Sequence, residues 1–207
     1  MDECPIVAVA SSARDLEAIV ELLASVPEDC DEAFVIVQHI DPARRGISLD
    51  EALGKRTTLP ILVAQDSAVP KGGHIYVMSA NTTVTISAGR IGVSRGSPGP
   101  DGPGNTLFTS LAEDRGDGAI GIVLSGAGSD GAIGVRAIKK AGGTTYAQFP
   151  GSARFPSMPI SAIETGCVGS VLRPYEIVRE LIFRNRLARH PEVVPLRLPL
   201  ISAAVAG

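Results

Sequence analysis

Apolar runs of strand length alternate with stretches of helical period along this chain, and that alternation predicts a parallel sheet covered by helices on both faces. Ile6 to Ala10 reads as a first buried strand, and Leu16 to Leu23 as the helix after it, with Leu16, Ile19, Val20 and Leu23 at helical spacing. Phe34 to Val37 is a second strand and Leu59 to Ala64 a short third. Ile75 to Met78, Thr82 to Ser87 and Ile91 to Ser94 suggest a small antiparallel meander, with Ala88-Gly89 as the turn before its last strand. Residues 95–105 are crowded with glycine and proline and predict a loop. Ala119 to Leu124 is the most apolar strand. Asp130 to Ala141 follows as a helix stopped by Gly142-Gly143, then Thr144 to Gln148 as a strand and Tyr175 to Phe183 as a last helix. Beyond Arg184 the prolines at 191, 195 and 199 break any period. The expected architecture is one α/β domain over 1–184, doubly wound around a mostly parallel sheet, with 185–207 as a tail or linker.

Composition narrows the function. With 44% hydrophobic and 20% charged residues among 207, the chain can bury a real core. Its formal charge of −3, with lysine and arginine dispersed, excludes a surface built to neutralise phosphates, so no nucleic-acid partner is expected. No apolar run approaches the roughly 18 residues of a membrane span, and the opening Met1-Asp-Glu-Cys-Pro5 lacks the features of a signal peptide. The expectation is a cytoplasmic protein without membrane insertion. Cys4, Cys30 and Cys167 are odd in number and far apart, which suits reduced thiols and offers no zinc clamp.

Three polar residues stand where buried strands run out: Ser12 after the first, His39 after the second and Asp130 after the strong 119–124 strand. In a doubly wound sheet, ligands bind outside the carboxyl ends of the strands, so side chains there converge although distant in sequence. Serine, histidine and aspartate are the types needed for a nucleophile, its general base and the group that orients the base. Imidazole titrates near neutrality and can take the hydroxyl proton. Each residue also has a plainer reading. Ser12 could cap the next helix or yield its place to Ser11, His39 could be an ordinary loop histidine, and Asp130 could cap the helix that follows it. Gly126-Ala127-Gly128-Ser129-Asp130-Gly131 further matches the GxGxxG of a dinucleotide-binding turn. That fingerprint wants an acidic residue at the end of the next strand, where this chain reads Gln148-Phe149-Pro150.

At these segments the chain resembles the catalytic domain of the CheB family of chemotaxis methylesterases, and more closely the form fused to a CheR-type methyltransferase. The resemblance spans roughly residues 5–183. Ile6-Val-Ala-Val-Ala-Ser-Ser12 is similar to the family's opening strand and nucleophile turn, Val37-Gln38-His39-Ile40-Asp41-Pro42 to its histidine segment, and Leu124 to Gly131 to its aspartate segment. Gly73-His74-Ile75-Tyr76-Val77 and Phe155-Pro156-Ser157-Met158-Pro159 are further landmarks in the right order.

The resemblance implies a serine hydrolase without metal or cofactor, in which Ser12 attacks, His39 is the base and Asp130 orients it. It implies an oxyanion hole built from the amides of Ala13 and Ala127, the latter standing where the family often has methionine. The substrate implied is the glutamyl γ-methyl ester of methyl-accepting chemotaxis receptors, with receptor glutamine deamidation as a second activity. Arg14, Arg44, Arg45 and Arg154, with the 95–105 loop, would form the rim that meets the receptor, unless they are solvated surface. A CheR-type methyltransferase domain in the same or a longer chain is an implied partner, and the receiver domain that often precedes the family's catalytic strand is not expected here. Departures point the other way, to a weakened or binding-only domain. Ala13-Arg14-Asp15 replaces small residues and a glycine pair, Asp101-Gly102 and Asn105 replace an Arg-Pro and an aspartate, and Ile160 replaces an arginine.

Overall fold

The computed structural model describes residues 4–39, 53–54, 56–96 and 102–189. Seven parallel strands form the central sheet: β1 (Ile6–Ser12), β2 (Ala33–His39), β3 (Ile61–Val63), β4 (His74–Val77), β7 (Ile120–Val123), β8 (Thr144–Gln148) and β9 (Ser170–Leu172). Their spatial order is β3-β4-β2-β1-β7-β8-β9, with every pairing parallel. The chain therefore winds outward from β1 in one direction through β2 and in the other through β7, and the crevice at the carboxyl end of β1 and β7 is the topological switch point. Helices α1 (Leu16–Ala24) and α5 (Pro174–Arg189) cover one face, burying Ile19, Leu22, Ile177 and Leu181 against Val7, Val9, Phe34 and Ile36. Helices α2 (Pro103–Arg115), α3 (Ala132–Lys140) and α4 (Ser157–Glu164) cover the other, where Leu107, Phe108, Val135 and Met158 meet Ala8, Ala10 and Val35. Among the described residues no helix is long and apolar enough to cross a membrane.

The doubly wound sheet expected from the alternation is present, and the differences lie in how far elements extend. The apolar pattern ends the first two strands at Ala10 and Val37, yet β1 runs to Ser12 and β2 to His39. Neighbouring strands supply backbone partners for these polar residues, so pairing continues where hydrophobicity stops. The three-stranded meander is a two-stranded one. Among the described strands β5 (Thr82–Ser87) and β6 (Arg90–Arg95) pair antiparallel, joined at Ala88 (φ 49°) and Gly89 (φ 71°), with an isolated antiparallel bridge from Ala68 to Ile91, while β4 belongs to the parallel sheet. The reason is burial: Ile75, Tyr76 and Val77 are covered on both sides, as a parallel strand requires and a half-exposed meander strand does not.

Residues 95–105 are not loop throughout, because Arg95 ends β6 and Pro103 begins α2; residues 97–101 lie outside the description. Pro103 sits at the first helical position, where a missing N–H costs nothing. The last helix continues past Phe183 to Arg189, and Asn185 Nδ2 donates to the Glu32 carboxylate at 2.6 Å.

Candidate active site

The strand pleat sorts the two adjacent serines onto opposite faces of the sheet. Ser12 shares the face of Ala8 and Ala10, and Ser11 that of Val7 and Val9. Ser12 is 3% exposed, and its backbone is fixed on both sides. The Ser12 amide donates to the Ser125 carbonyl at 3.3 Å, its carbonyl accepts from Asp15 N–H at 3.1 Å, and its Oγ accepts from the Arg14 amide at 3.4 Å. A tight turn thus carries the chain from β1 into α1 directly below the hydroxyl. Arg14 and Ala13 are exposed, whereas Asp15 is buried at the N-cap position of α1 without a capping bond from its side chain.

The glycine-rich segment after β7 lies against this turn. A Cβ added at Gly126 would stand 3.0 Å from the Ser12 Cβ and collide with the Met158 sulfur, so only glycine lets the loop approach so closely. The Gly126 amide donates to the Phe155 carbonyl at 2.8 Å and the Gly128 amide to Ser157 Oγ at 3.3 Å. The Ala127 amide between them meets no acceptor among the described residues. Two of the amides that a bound pyrophosphate would need are therefore already engaged within the chain.

Asp130, the last polar residue of this segment, does not cap the helix that follows it. Gly131, in the left-handed region at φ 94°, is the N-cap of α3 and offers no side chain. The Asp130 carboxylate turns instead to α2, where Oδ2 accepts from Gly104 N–H at 2.9 Å and Oδ1 from Asn105 N–H at 3.0 Å. Both donors belong to the first turn of a helix, whose positive dipole end faces the charge. Asn105 continues the tie, its Oδ1 accepting from Gly134 N–H at 2.9 Å. The missing Cβ of Gly104 is what admits the carboxylate, since a methyl there would lie 2.7 Å from Ala10 Cβ and 3.0 Å from Asp130 Oδ1. Asp130, 7% exposed, is therefore seated against the strand face that carries Ser12 two residues later.

His39 ends β2 in register with Ser12 across the parallel pairing, on a strand roughly 4.8 Å away. Arg44, Arg45, Asp41 and Asp101 lie outside the described residues. Arg154 is exposed, with its guanidinium 5.6 Å from the centre of the Phe155 ring, beside the loop that holds Gly126. Ile160 is 38% exposed on α4. A groove of about 590 Å³ between the end of α1, β9 and α5 lies elsewhere, and no candidate residue lines it.

One polar residue at this edge had no functional signal in the sequence beyond ending a strand where an acid was sought. Gln148, 1% exposed, accepts from Ser125 N–H at 2.8 Å through Oε1 and donates from Nε2 to the Ser152 carbonyl at 3.2 Å.

Known proteins resemble the chain across this whole arrangement. The family model described as CheB methylesterase matches residues 7–181. A protein-glutamate methylesterase/protein-glutamine glutaminase of Burkholderia thailandensis is 34% identical over 191 residues, which cover 89% of this chain and 56% of that protein. Another, from Caulobacter vibrioides, is 37% identical over 169 residues, covering 79% and 48%. The chain spans about half the length of the curated relatives it matches. The crystal structure of the Thermotoga maritima CheB methylesterase catalytic domain superposes with a TM-score of 0.77 at 25% identity, over 89% of this chain and all of that one.

Proposed function

Since the chain belongs to the CheB methylesterase family, we propose that it is a serine hydrolase acting on glutamyl γ-methyl esters of methyl-accepting chemotaxis receptors. The observation that carries this reading is the seating of Ser12 and Asp130 on one face of the sheet at its switch point, with His39 in register beside Ser12. Fixed on two helix amides, Asp130 is a rigid orienter for the base, as a triad requires.

In this mechanism His39 takes the Ser12 proton as Oγ adds to the ester carbonyl. The tetrahedral oxyanion is met by the amides of Ala13 and Ala127, each such donor lowering the barrier by roughly 3 kcal/mol. Collapse expels methanol, which takes the proton from His39. Water, deprotonated by His39, then hydrolyses the acyl-serine and returns a free glutamate. The same steps on a glutamine side chain would release ammonia, giving the deamidase activity. Arg14, Arg154, Arg44 and Arg45 are the proposed receptor-facing cations, and a CheR-type methyltransferase domain is the proposed companion in the same or a longer chain.

One observation favours a second reading, a domain that binds receptor without turnover: the buried Asp15 stands three residues from the nucleophile, at a position where the resemblance expects glycine. Methanol release from methylated receptor separates the two. The hydrolase releases methanol, and Ser12→Ala abolishes it by several orders of magnitude. A parent chain that binds receptor and releases none is the binding module.

A further inference from the structure

We propose that Gln148 is a positioning residue for this reaction, setting the oxyanion-hole loop against Ser12; the inference rests on the hydrolase reading above. The connection is two hydrogen bonds long. Gln148 Oε1 accepts the Ser125 amide at 2.8 Å, and the Ser125 carbonyl accepts the Ser12 amide at 3.3 Å. From its other end Gln148 Nε2 donates to the Ser152 carbonyl at 3.2 Å and to Ser152 Oγ at 3.3 Å. The short 3-10 turn Pro150–Ser152 is thereby joined to the first residue of the glycine-rich segment.

Chemistry selects the amide. Ser125 N–H needs an acceptor and the Ser152 carbonyl needs a donor, and a side chain 1% exposed must serve both without help from bulk water. A glutamate would keep the acceptor and, when ionised, present a second oxygen to the Ser152 carbonyl. A leucine would leave Ser125 N–H buried without a partner. The downstream anchors, Gly126 N–H on the Phe155 carbonyl at 2.8 Å and Met158 N–H on the Gly126 carbonyl at 3.0 Å, fix the loop's far side but not its distance from β1. Ser125 spans that distance; Phe155 N–H donates to its Oγ at 3.0 Å, and among the described residues Gln148 alone holds its backbone amide, at 2.8 Å. The Ala127 amide, two residues on, is the group whose placement depends on it. An oxyanion donor displaced by a fraction of an ångström loses much of its effect, because the developing charge is small and fixed in space.

The test compares the parent chain with Gln148→Leu and Gln148→Glu, measuring kcat and KM for methanol release from methylated receptor per folded molecule, with folding followed by circular dichroism. Gln148→Leu is expected to lower kcat roughly tenfold to hundredfold with KM changed less than about twofold, and Gln148→Glu to retain more kcat than leucine because its acceptor remains. The amide resonances of Ser125 and Ala127 should shift in folded Gln148→Leu while those of α1 and α5 stay in place. If Gln148→Leu keeps the parent kcat per folded molecule, or leaves the Ala127 resonance unmoved, the positioning role is overturned and the hydrolase reading stands. A parent that releases no methanol overturns the hydrolase reading and the role with it.

Discussion

Gly126 and Ser12 approach so closely that any side chain on the first would press on the Cβ of the second, at 3.0 Å. The contact brings two strand ends together at the place where the proposed mechanism uses a hydroxyl and a glycine-rich loop. Gly126→Ala should therefore cost about 1–3 kcal/mol, since the same methyl would also collide with the Met158 sulfur. Ester hydrolysis should fall by more than the loss of folded protein explains. Urea denaturation together with methanol release checks this, and a variant with full activity would mean that the loop yields freely.

Asp130 offers a separable pair of effects. Asp130→Asn keeps one acceptor for the α2 amides but turns an NH₂ toward the other and removes the charge from the helix N-terminus. Stability should drop by about 1–3 kcal/mol, whereas turnover should drop by several orders of magnitude, because in the proposed mechanism the base loses its orienting charge. A proportionate fall in both would reduce Asp130 to a helix cap. Equilibrium denaturation and single-substrate kinetics on the same preparation give the two numbers.

How much of this was legible depended on whether the deciding partner was near in sequence. The buried strands Ile6–Ala10, Phe34–Val37 and 119–124 announced themselves as continuous apolar runs, and the switch point followed from their alternation with helices. Helix α2 was hidden because its start, Pro103-Gly104-Asn105, has loop composition, and the acceptor for its first amides is the Asp130 carboxylate, 26 residues from Gly104. Leu107, Phe108, Leu111 and Ala112 do share one face at helical spacing, and the proline- and glycine-rich run just before them obscured that stripe. Ser12 and His39 could be singled out by type and place, and the strand register then put them side by side. Gln148 could not be singled out, since its function lies in what its amide reaches across the sheet.

Tyr146 predicts an alkaline limb to stability. Its ring is 1% exposed on β8, and burial, reinforced by the negative charge of Glu180 and partly opposed by Arg184, pushes its pKa from 10.0 to about 12. The folded state thus resists ionisation that the unfolded chain accepts. The associated stability is fully present below pH 10 and is lost as pH rises through about 12. The loss should be about 3 kcal/mol, and Tyr146→Phe should flatten that part of the profile. Urea midpoints taken across the interval, with ultraviolet titration of the phenols, test it; an unchanged slope in Tyr146→Phe would assign the effect elsewhere.

The last helix carries a prediction about where the domain ends. Periodicity stops the helix at Phe183 and sets a boundary after Arg184, yet Asn185 Nδ2 reaches back to Glu32 Oε1 at 2.6 Å. Glu32 is 3% exposed, and its second oxygen meets no partner among the described residues, so Asn185 supplies a donor that a buried carboxylate needs. Truncation after Arg184 should then cost about 1–3 kcal/mol relative to truncation after Arg189. The exposed Arg186–Asp29 pair, at 3.5 Å, adds little to that difference. Asn185→Asp should be worse than Asn185→Ala, because it sets a second negative charge beside the first. Equal urea midpoints for the two truncations would move the boundary back to Arg184. A clear drop would show that the helix end is part of the fold because of Glu32, the residue just before β2.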